Sequence, residues 1–268
     1  MNDRPPTGPR PLTYGSYLAL DELLGAQRPR TDQPDEMLFI VIHQVYELWF
    51  KQLLHEAARM QERLAGAAAA GAARALERML TILKTVVAQV DVLETMTPAQ
   101  FGAFREALDS SSGFQSAQFR ELEVMLGRRD ERALRPFRPD SSERARIAAA
   151  MRRPSLFDSL LAHLGRVGYA VPDAVLARDV AVAYEPSPEV RAALLRVYAD
   201  DGAEAALCER MVDFDEGVME WRYRHVQMVR RMIGSKPGTG GSAGVDYLAS
   251  TLMQPSFPDL WAVRSEIG

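Results

Sequence analysis

The chain has almost no cysteine. Cys208 is the only one in 268 residues, so no internal disulfide can form, and we expect a reducing, cytoplasmic setting. Its neighbours Ala205, Ala206 and Leu207 favour a small buried side chain over a nucleophile. A lone cysteine also offers no cysteine partner for a zinc site.

The sequence also lacks an excess of positive charge and any long apolar run. Its 32 Lys and Arg against 36 Asp and Glu leave a net charge of −4, whereas a nucleic-acid-binding face is basic. We therefore expect no nucleic-acid partner. No apolar stretch approaches the length that spans a bilayer, and the first twelve residues have no apolar run behind their charges. We expect neither membrane insertion nor a signal peptide.

No stretch alternates apolar and polar residues between turn signals, so the sequence indicates no β-sheet. Apolar residues instead recur at every third or fourth position, which is typical of helices. The pattern predicts an all-α fold in which long antiparallel helices form a bundle, with additional short helices. The predicted long helices cover 35–66, 67–94 and 204–233, and the shorter ones cover 12–24, 98–108, 114–126, 141–151, 154–166, 188–198 and two pieces after 244 that Pro255 and Pro258 break.

The domain organisation predicted from composition is simple. Residues 1–12 contain four prolines and few apolar side chains, so we expect a poorly ordered N-terminal arm. Residues 13–268 are predicted to form a single helical domain. Within it, the arginine-rich segment 128–139 is interpreted as a solvated connector, and 168–188 as irregular.

Two of the four histidines stand on apolar helical stripes. His43 is flanked one turn away by aromatic residues, and His225 lies between Trp221 and Met228. For a single histidine of this kind, the better interpretation is a buried side chain bonded to carbonyl or carboxylate groups. The presence of two such histidines on the most apolar long helices weakens that interpretation. His55 lies off the face of His43, which indicates a position at the surface or behind the site residues.

The pattern of possible ligands favours haem over other metal sites. The sequence has no HExxH motif, and no histidine has a glutamate three residues before it, as di-iron bundles require. Haem needs only one neutral histidine on a helix wall with an apolar cleft around it. The lone His225 on a face rich in methionine and aromatic residues meets that requirement.

Arg105 and a glycine-rich loop suggest a polar ligand. Arg105 lies on an otherwise apolar face between Phe101 and Leu108, where its partner is either a core carboxylate or a substrate carboxylate. The loop 234–244 loosely matches a dinucleotide fingerprint, but a helix precedes it where a strand is required. The backbone amides and hydroxyls of this loop could close over a polar group of a ligand. The end of the preceding helix would explain part of its glycine content.

Several segments together resemble the tryptophan 2,3-dioxygenase family. The similarity runs from end to end of the chain, with 128–190 the least similar part. Four motifs form a specific set: HQxxELWxK at 43–51, SGFQS at 112–116, RHxxMV at 224–229 and GTGG at 238–241. The matching segments cover 12–24, 35–56, 96–127, 220–248 and 257–267.

The resemblance implies a cofactor and a catalytic histidine. The cofactor would be haem b, ferrous in the active form, with His225 as the proximal iron ligand. His43 would lie on the distal side and hydrogen-bond the indole N–H. Whether His43 also removes that proton stays open, because neutral imidazole is a poor base for so weak an acid.

The resemblance also implies the residues that bind the substrate. Arg105 would hold the substrate carboxylate, and Thr239 would bind its ammonium and carboxylate end. The remaining residues would line the pocket, with Phe39, Phe101 and Leu108 around the indole ring and Ser112 near the haem. Position 101 is tyrosine in some members, so Phe101 keeps the aromatic ring without the hydroxyl.

Two N-terminal tyrosines imply an assembly. Tyr14 and Tyr17 match tyrosines that reach into the neighbouring subunit's site, so a homotetramer is expected. The implied reaction opens the indole C2–C3 bond of L-tryptophan with O2 to give N-formyl-L-kynurenine, the first step of tryptophan catabolism by the kynurenine pathway. The alternatives are a haem-dependent mono-oxygenase of aromatic amino acids or indoles on the same scaffold, and a non-catalytic haem sensor.

Overall fold

The computed structural model of the protein describes residues 11–109, 111, 113–236 and 245–267. Over these ranges every regular element is a helix and none is a strand, which confirms the all-α prediction. None of the described helices combines the length and apolarity that crossing a membrane requires.

Fourteen α-helices occur in the described part of the chain. Short 3-10 turns at 106–108, 113–115, 131–134 and 263–265 lie between or after them. In chain order the helices are α1 (Tyr14–Leu18), α2 (Leu20–Leu24), α3 (Pro34–Ala65), α4 (Ala69–Ala88), α5 (Val90–Leu93), α6 (Pro98–Arg105), α7 (Ala117–Met125), α8 (Ser142–Met151), α9 (Leu156–Arg166), α10 (Asp173–Leu176), α11 (Pro188–Asp200), α12 (Ala203–Ile233), α13 (Val245–Ser250) and α14 (Pro258–Ala262).

Three long helices form the frame of the molecule. α3 and α12 both pack against α4, and their buried faces include Leu53, Met79 and Phe214. Gly217 allows α12 to approach α4 closely, since a Cβ there would lie 3.0 Å from Cδ2 of Leu83. Cys208 is fully buried in this core, where desolvation raises the pKa of its thiol to about 12. The prediction of a small buried side chain at this position is confirmed.

Local backbone conformation changes several predicted boundaries. The helix expected over 12–24 is divided in two because Ala19 adopts a left-handed conformation, with φ of 50°. The helix expected from 114 begins at 117, where Ser116 caps it by accepting a hydrogen bond from the amide of Phe119 at 3.2 Å. Pro258 was wrongly predicted to break a helix. It begins α14, in which the first position needs no amide hydrogen.

The prediction of a solvated connector over 128–139 is wrong at its start. Arg129 is half-buried and donates hydrogen bonds to the carbonyls of Val180 (2.7 Å) and Arg153 (2.9 Å). Arg128 forms an ion pair with Glu123 at 3.0 Å. The two arginines therefore join the connector to α7 and to the segment after α10.

A matched pair of methionine variants tests which part of the chain carries the stability. Met60 on α3 is fully buried in the core, whereas Met253 in the C-terminal turn is 85% exposed. We expect Met60→Ala to lower the free energy of unfolding by about 2–5 kcal/mol, because it leaves a cavity. Met253→Ala should change it by less than about 0.5 kcal/mol. Urea titration measures both values, and equal losses would contradict the assignment of the core.

Candidate active site

A partly open cavity of about 510 Å³ lies among α3, α6, α7 and α12. Its walls are mainly aromatic and aliphatic, with a few charged side chains, which is typical of sites that bind small molecules. The separate helices bring predicted site residues together here. Six of them line this one cavity, namely Phe39, His43, Phe101, Arg105, Leu108 and His225.

His43 presents a fixed and neutral imidazole to the cavity. Its Nδ1–H donates a hydrogen bond of 2.7 Å to the carbonyl of Phe39, one turn earlier on α3. Since a carbonyl can only accept, this bond leaves Nε2 as the acceptor. Burial lowers the pKa of His43 below its usual 6.5, although the bond to Phe39 and the charge of Glu47 oppose the shift. His43 can therefore accept a hydrogen bond from a ligand at neutral pH.

His225 enters the cavity from α12 and is held by aromatic stacking. The ring of Trp221, one turn earlier, lies 5.1 Å from the His225 ring with an angle of only 5° between the planes. Trp221 in turn contacts Phe119 of α7 at 4.7 Å. Burial, with smaller contributions from His43 and Arg120, lowers the pKa of His225 to about 4. The imidazole is therefore neutral, as a metal ligand must be.

A cluster of aromatic rings forms the wall next to His43. The Phe39 ring lies 4.1 Å from the His43 ring and 5.8 Å from that of Phe101. Phe104, which is almost completely buried, packs edge-on against both phenylalanines. These contacts join α3 to α6 and give an aromatic wall beside a hydrogen-bond acceptor. That combination suits a planar aromatic ligand that carries an N–H group.

Arg105 supplies positive charge at the edge of this wall. It is the last residue of α6, is half-buried and lines the cavity. The helix begins with a capping box, in which Thr97 accepts from the amide of Gln100 and Gln100 accepts from the amide of Thr97. This cap fixes the position of α6 and so of Arg105. A fork of N–H donors at this place can bind a carboxylate.

The remaining predicted site residues are Ser112, Thr239, Tyr14 and Tyr17. Ser112 and Thr239 lie outside the described residues. Tyr14 and Tyr17, on α1, are 77% and 72% exposed and do not line the cavity. His55, predicted to lie at the surface or behind the site residues, is exposed on α3.

The cavity wall also contains a group of charged residues that the sequence-based predictions did not include. Arg120 and Arg128 both form ion pairs with Glu123, and all three side chains line the cavity. Arg222 lies one turn before His225 on α12 and also lines the cavity. Only the three-residue spacing of Arg222 and His225 on one helix could have indicated that Arg222 lies in the cavity wall.

The residues present fit a haem better than a metal cluster. Within the described ranges, no three His, Cys, Asp or Glu side chains come together as a metal site. A haem iron needs one neutral histidine in an apolar cavity, and His225 provides it in this one.

The fold and the cavity together define a helical protein with a largely apolar cavity that two neutral histidines and an arginine line. The sequence model of tryptophan 2,3-dioxygenase matches residues 7–144 and 191–267 of the chain. The chain belongs to the tryptophan 2,3-dioxygenase family. The unmatched part, 145–190, is narrower than the segment 128–190 that sequence analysis set apart.

Curated relatives match the chain over almost its whole length. The tryptophan 2,3-dioxygenase of Anaeromyxobacter sp. strain K is 64% identical over 256 residues, which are 96% of each chain. That of Herpetosiphon aurantiacus is 53% identical over 96% of this chain and 98% of its own length. That of Bacillus cereus is 41% identical over 96% of this chain and 93% of its own.

Proposed function

We propose that the protein opens the indole C2–C3 bond of L-tryptophan with O2 to give N-formyl-L-kynurenine, the first step of tryptophan catabolism by the kynurenine pathway. The observation that carries this proposal is the convergence of His43, Arg105 and His225 on one apolar cavity. Relatives with the same family name, similar over nearly the full length, support it. Both oxygen atoms enter the product, so the net reaction needs no external reductant.

The proposed cofactor is haem b, ferrous in the active form, with His225 as its proximal iron ligand. When bound, the haem supplies the redox chemistry with dioxygen. The part of this chain is to present a neutral imidazole, to hold it with the Trp221 ring, and to keep water out of the cavity.

His43 is proposed to orient the substrate. Its Nδ1–H is engaged by the Phe39 carbonyl, so the lone pair on Nε2 can accept a hydrogen bond from the indole N–H. Indole is a very weak acid and neutral imidazole a weak base, so the role proposed for this bond is to fix the position of the ring, and removal of the proton is not part of the proposal. Phe39, Phe101 and Leu108 would hold the indole plane against the cofactor.

The polar end of the substrate is proposed to bind at Arg105. Its guanidinium would donate two parallel hydrogen bonds to the amino-acid carboxylate. Thr239 would contact the same end of the substrate, and Ser112 would line the side of the cavity near the haem. These two roles rest on the resemblance of their motifs to those of the family.

Assembly and location follow from the same proposal. The exposed aromatic rings of Tyr14 and Tyr17 leave large apolar surfaces in water, which a neighbouring subunit would cover. We propose a homotetramer in which these tyrosines complete the adjacent site, and a cytoplasmic location.

The function is tested by supplying L-tryptophan and 18O2 to the purified, haem-loaded ferrous protein. Ring cleavage adds two labelled oxygen atoms and produces the absorbance of N-formylkynurenine. A product with one labelled oxygen would instead indicate a mono-oxygenase. Tight haem binding with no turnover would favour the sensor, and either result would reject the proposal.

The pH profile tests the state of His43. Its pKa in the folded protein is lowered below 6.5, so the imidazole stays neutral as the pH falls through 6.5 and becomes protonated only at lower pH. We expect kcat/KM for L-tryptophan to keep more than about half of its neutral value at pH 6.5 and to fall below that pH. His43→Gln, which cannot be protonated, serves as the control and should lose this acid limb. Half-loss above pH 6.5 in the parent protein would contradict the assignment.

A further inference from the structure

Two buried charged residues of α12 bind the C-terminal segment of the chain. Asp215 is 0% exposed and Arg222 is 6% exposed. They are seven residues apart, which is about two helical turns, so they lie on one face of α12. Both side chains reach residues 251–261, which follow α13.

Asp215 holds the start of α14. Its Oδ2 accepts hydrogen bonds from the amide of Ser256 at 2.8 Å, the amide of Phe257 at 3.2 Å and Nε1 of Trp261 at 3.0 Å. Phe257 is itself fully buried in the main core. A buried carboxylate with three donors is well compensated for the loss of water. This end of the segment is therefore firmly fixed to α12.

Arg222 holds the turn between α13 and α14. Its Nη1 donates to the carbonyl of Gln254 at 2.9 Å and to that of Thr251 at 3.3 Å. A cation buried to this degree is unusual unless its donors are satisfied, and these two carbonyls, in the turn after α13, accept from it. The segment between α13 and α14 is thus bonded to α12 at Arg222, one helical turn before His225.

The same contacts reach the cavity. Arg222, Leu248 and Thr251 all line it together with His225. Thr251 is buried, and its hydroxyl donates to the Leu248 carbonyl at 2.8 Å, which joins the two wall residues to each other. A shift of the turn would therefore move this part of the wall.

We propose that Arg222 is a positioning residue of the active site, which with Asp215 clamps residues 251–257 to α12 and so places Leu248 and Thr251 in the cavity wall. The effect on tryptophan rests on the proposed function, whereas the clamp itself does not. Loss of the guanidinium should loosen the wall and weaken substrate binding, while the His225 side of the cavity keeps its geometry.

The clamp is tested by hydrogen–deuterium exchange on the haem-loaded protein. Arg222→Met keeps an unbranched side chain but removes the donors, and Arg222→Lys keeps the charge with fewer donors. Arg230→Met, at an exposed position of the same helix, is the matched control. Amides over 248–257 should exchange about tenfold faster in Arg222→Met, less so in Arg222→Lys, and unchanged in Arg230→Met. Amides of α3 and α4 should not change.

Steady-state kinetics then test the link to the active site. Arg222→Met should raise the KM for L-tryptophan about tenfold, with kcat within about twofold of the parent and the haem absorbance unchanged. Unchanged exchange over 248–257 would overturn the clamp, and faster exchange with unchanged KM would overturn the positioning role. If Arg222→Met does not fold, the smaller effects in Arg222→Lys decide both points. A parent protein without turnover would reject the proposed function and leave the exchange test of the clamp intact.

Discussion

A His225→Ala variant is expected to lose its haem and with it the dioxygenase activity. His225 is the neutral imidazole that α12 presents to the cavity, and its pKa of about 4 means that no proton competes for the ring at neutral pH. Alanine removes the proposed axial bond entirely. Loss of a residue that only hydrogen-bonds a metal ligand lowers activity about 10- to 100-fold. Loss of the ligand itself should therefore lower it by more.

The haem absorbance of the purified variant measures this effect directly. Added imidazole should partly restore the spectrum, because the alanine leaves space for a free imidazole in the cavity. His55→Ala is the matched control, since His55 is an exposed histidine of α3 and should leave the spectrum unchanged. An unaltered haem spectrum in His225→Ala, with the helix content retained, would refute the ligand assignment.

An Arg105→Ala variant is expected to discriminate much less between substrates with and without the amino-acid carboxylate. A hydrogen bond to a charged group contributes about 1.5–3 kcal/mol, so kcat/KM for L-tryptophan should fall about 10- to 100-fold. Most of the loss should appear in KM, because the carboxylate is bound equally in the ground state and the transition state.

Tryptamine, which lacks the carboxylate, shows whether the loss comes from that contact. The parent protein should prefer L-tryptophan strongly, and Arg105→Ala should bring the two substrates closer together. Arg138→Ala is the control, since Arg138 is an exposed arginine whose pairing with Asp140 at 3.4 Å is at the surface. An unchanged ratio of the two substrates in Arg105→Ala would exclude the carboxylate contact.

Much of the candidate site was predictable because its residues have a local signature. His43 and His225 stand on strong apolar stripes, and the helical period places each on a buried face. Arg105 stands out for a similar reason, as a charge on an apolar face. These signals depend only on positions three and four residues apart, which any helix brings together.

The arginines at 120 and 128 could not be assigned in the same way. Arginine-rich segments are usually exposed, so composition favours a surface position for each. Their place in the cavity wall depends on how α7 packs against α3 and α8, which no local pattern contains. The same holds for Ala19, where a left-handed backbone divides a helix that the sequence indicates as continuous.

The helical class, the long helices and the family could be read from the sequence alone, because periodicity and motif spacing are local properties of the chain. The same signals placed His43 and His225 on apolar faces, but they did not single out His163, which is also fully buried. The packing of distant helices is what brings residues of α3, α6 and α12 to one cavity and lets Asp215 and Arg222 bind a segment about thirty to forty residues later. The physical reason is that burial depends on the packing of distant segments, and so do the pKa values of His43 and His225.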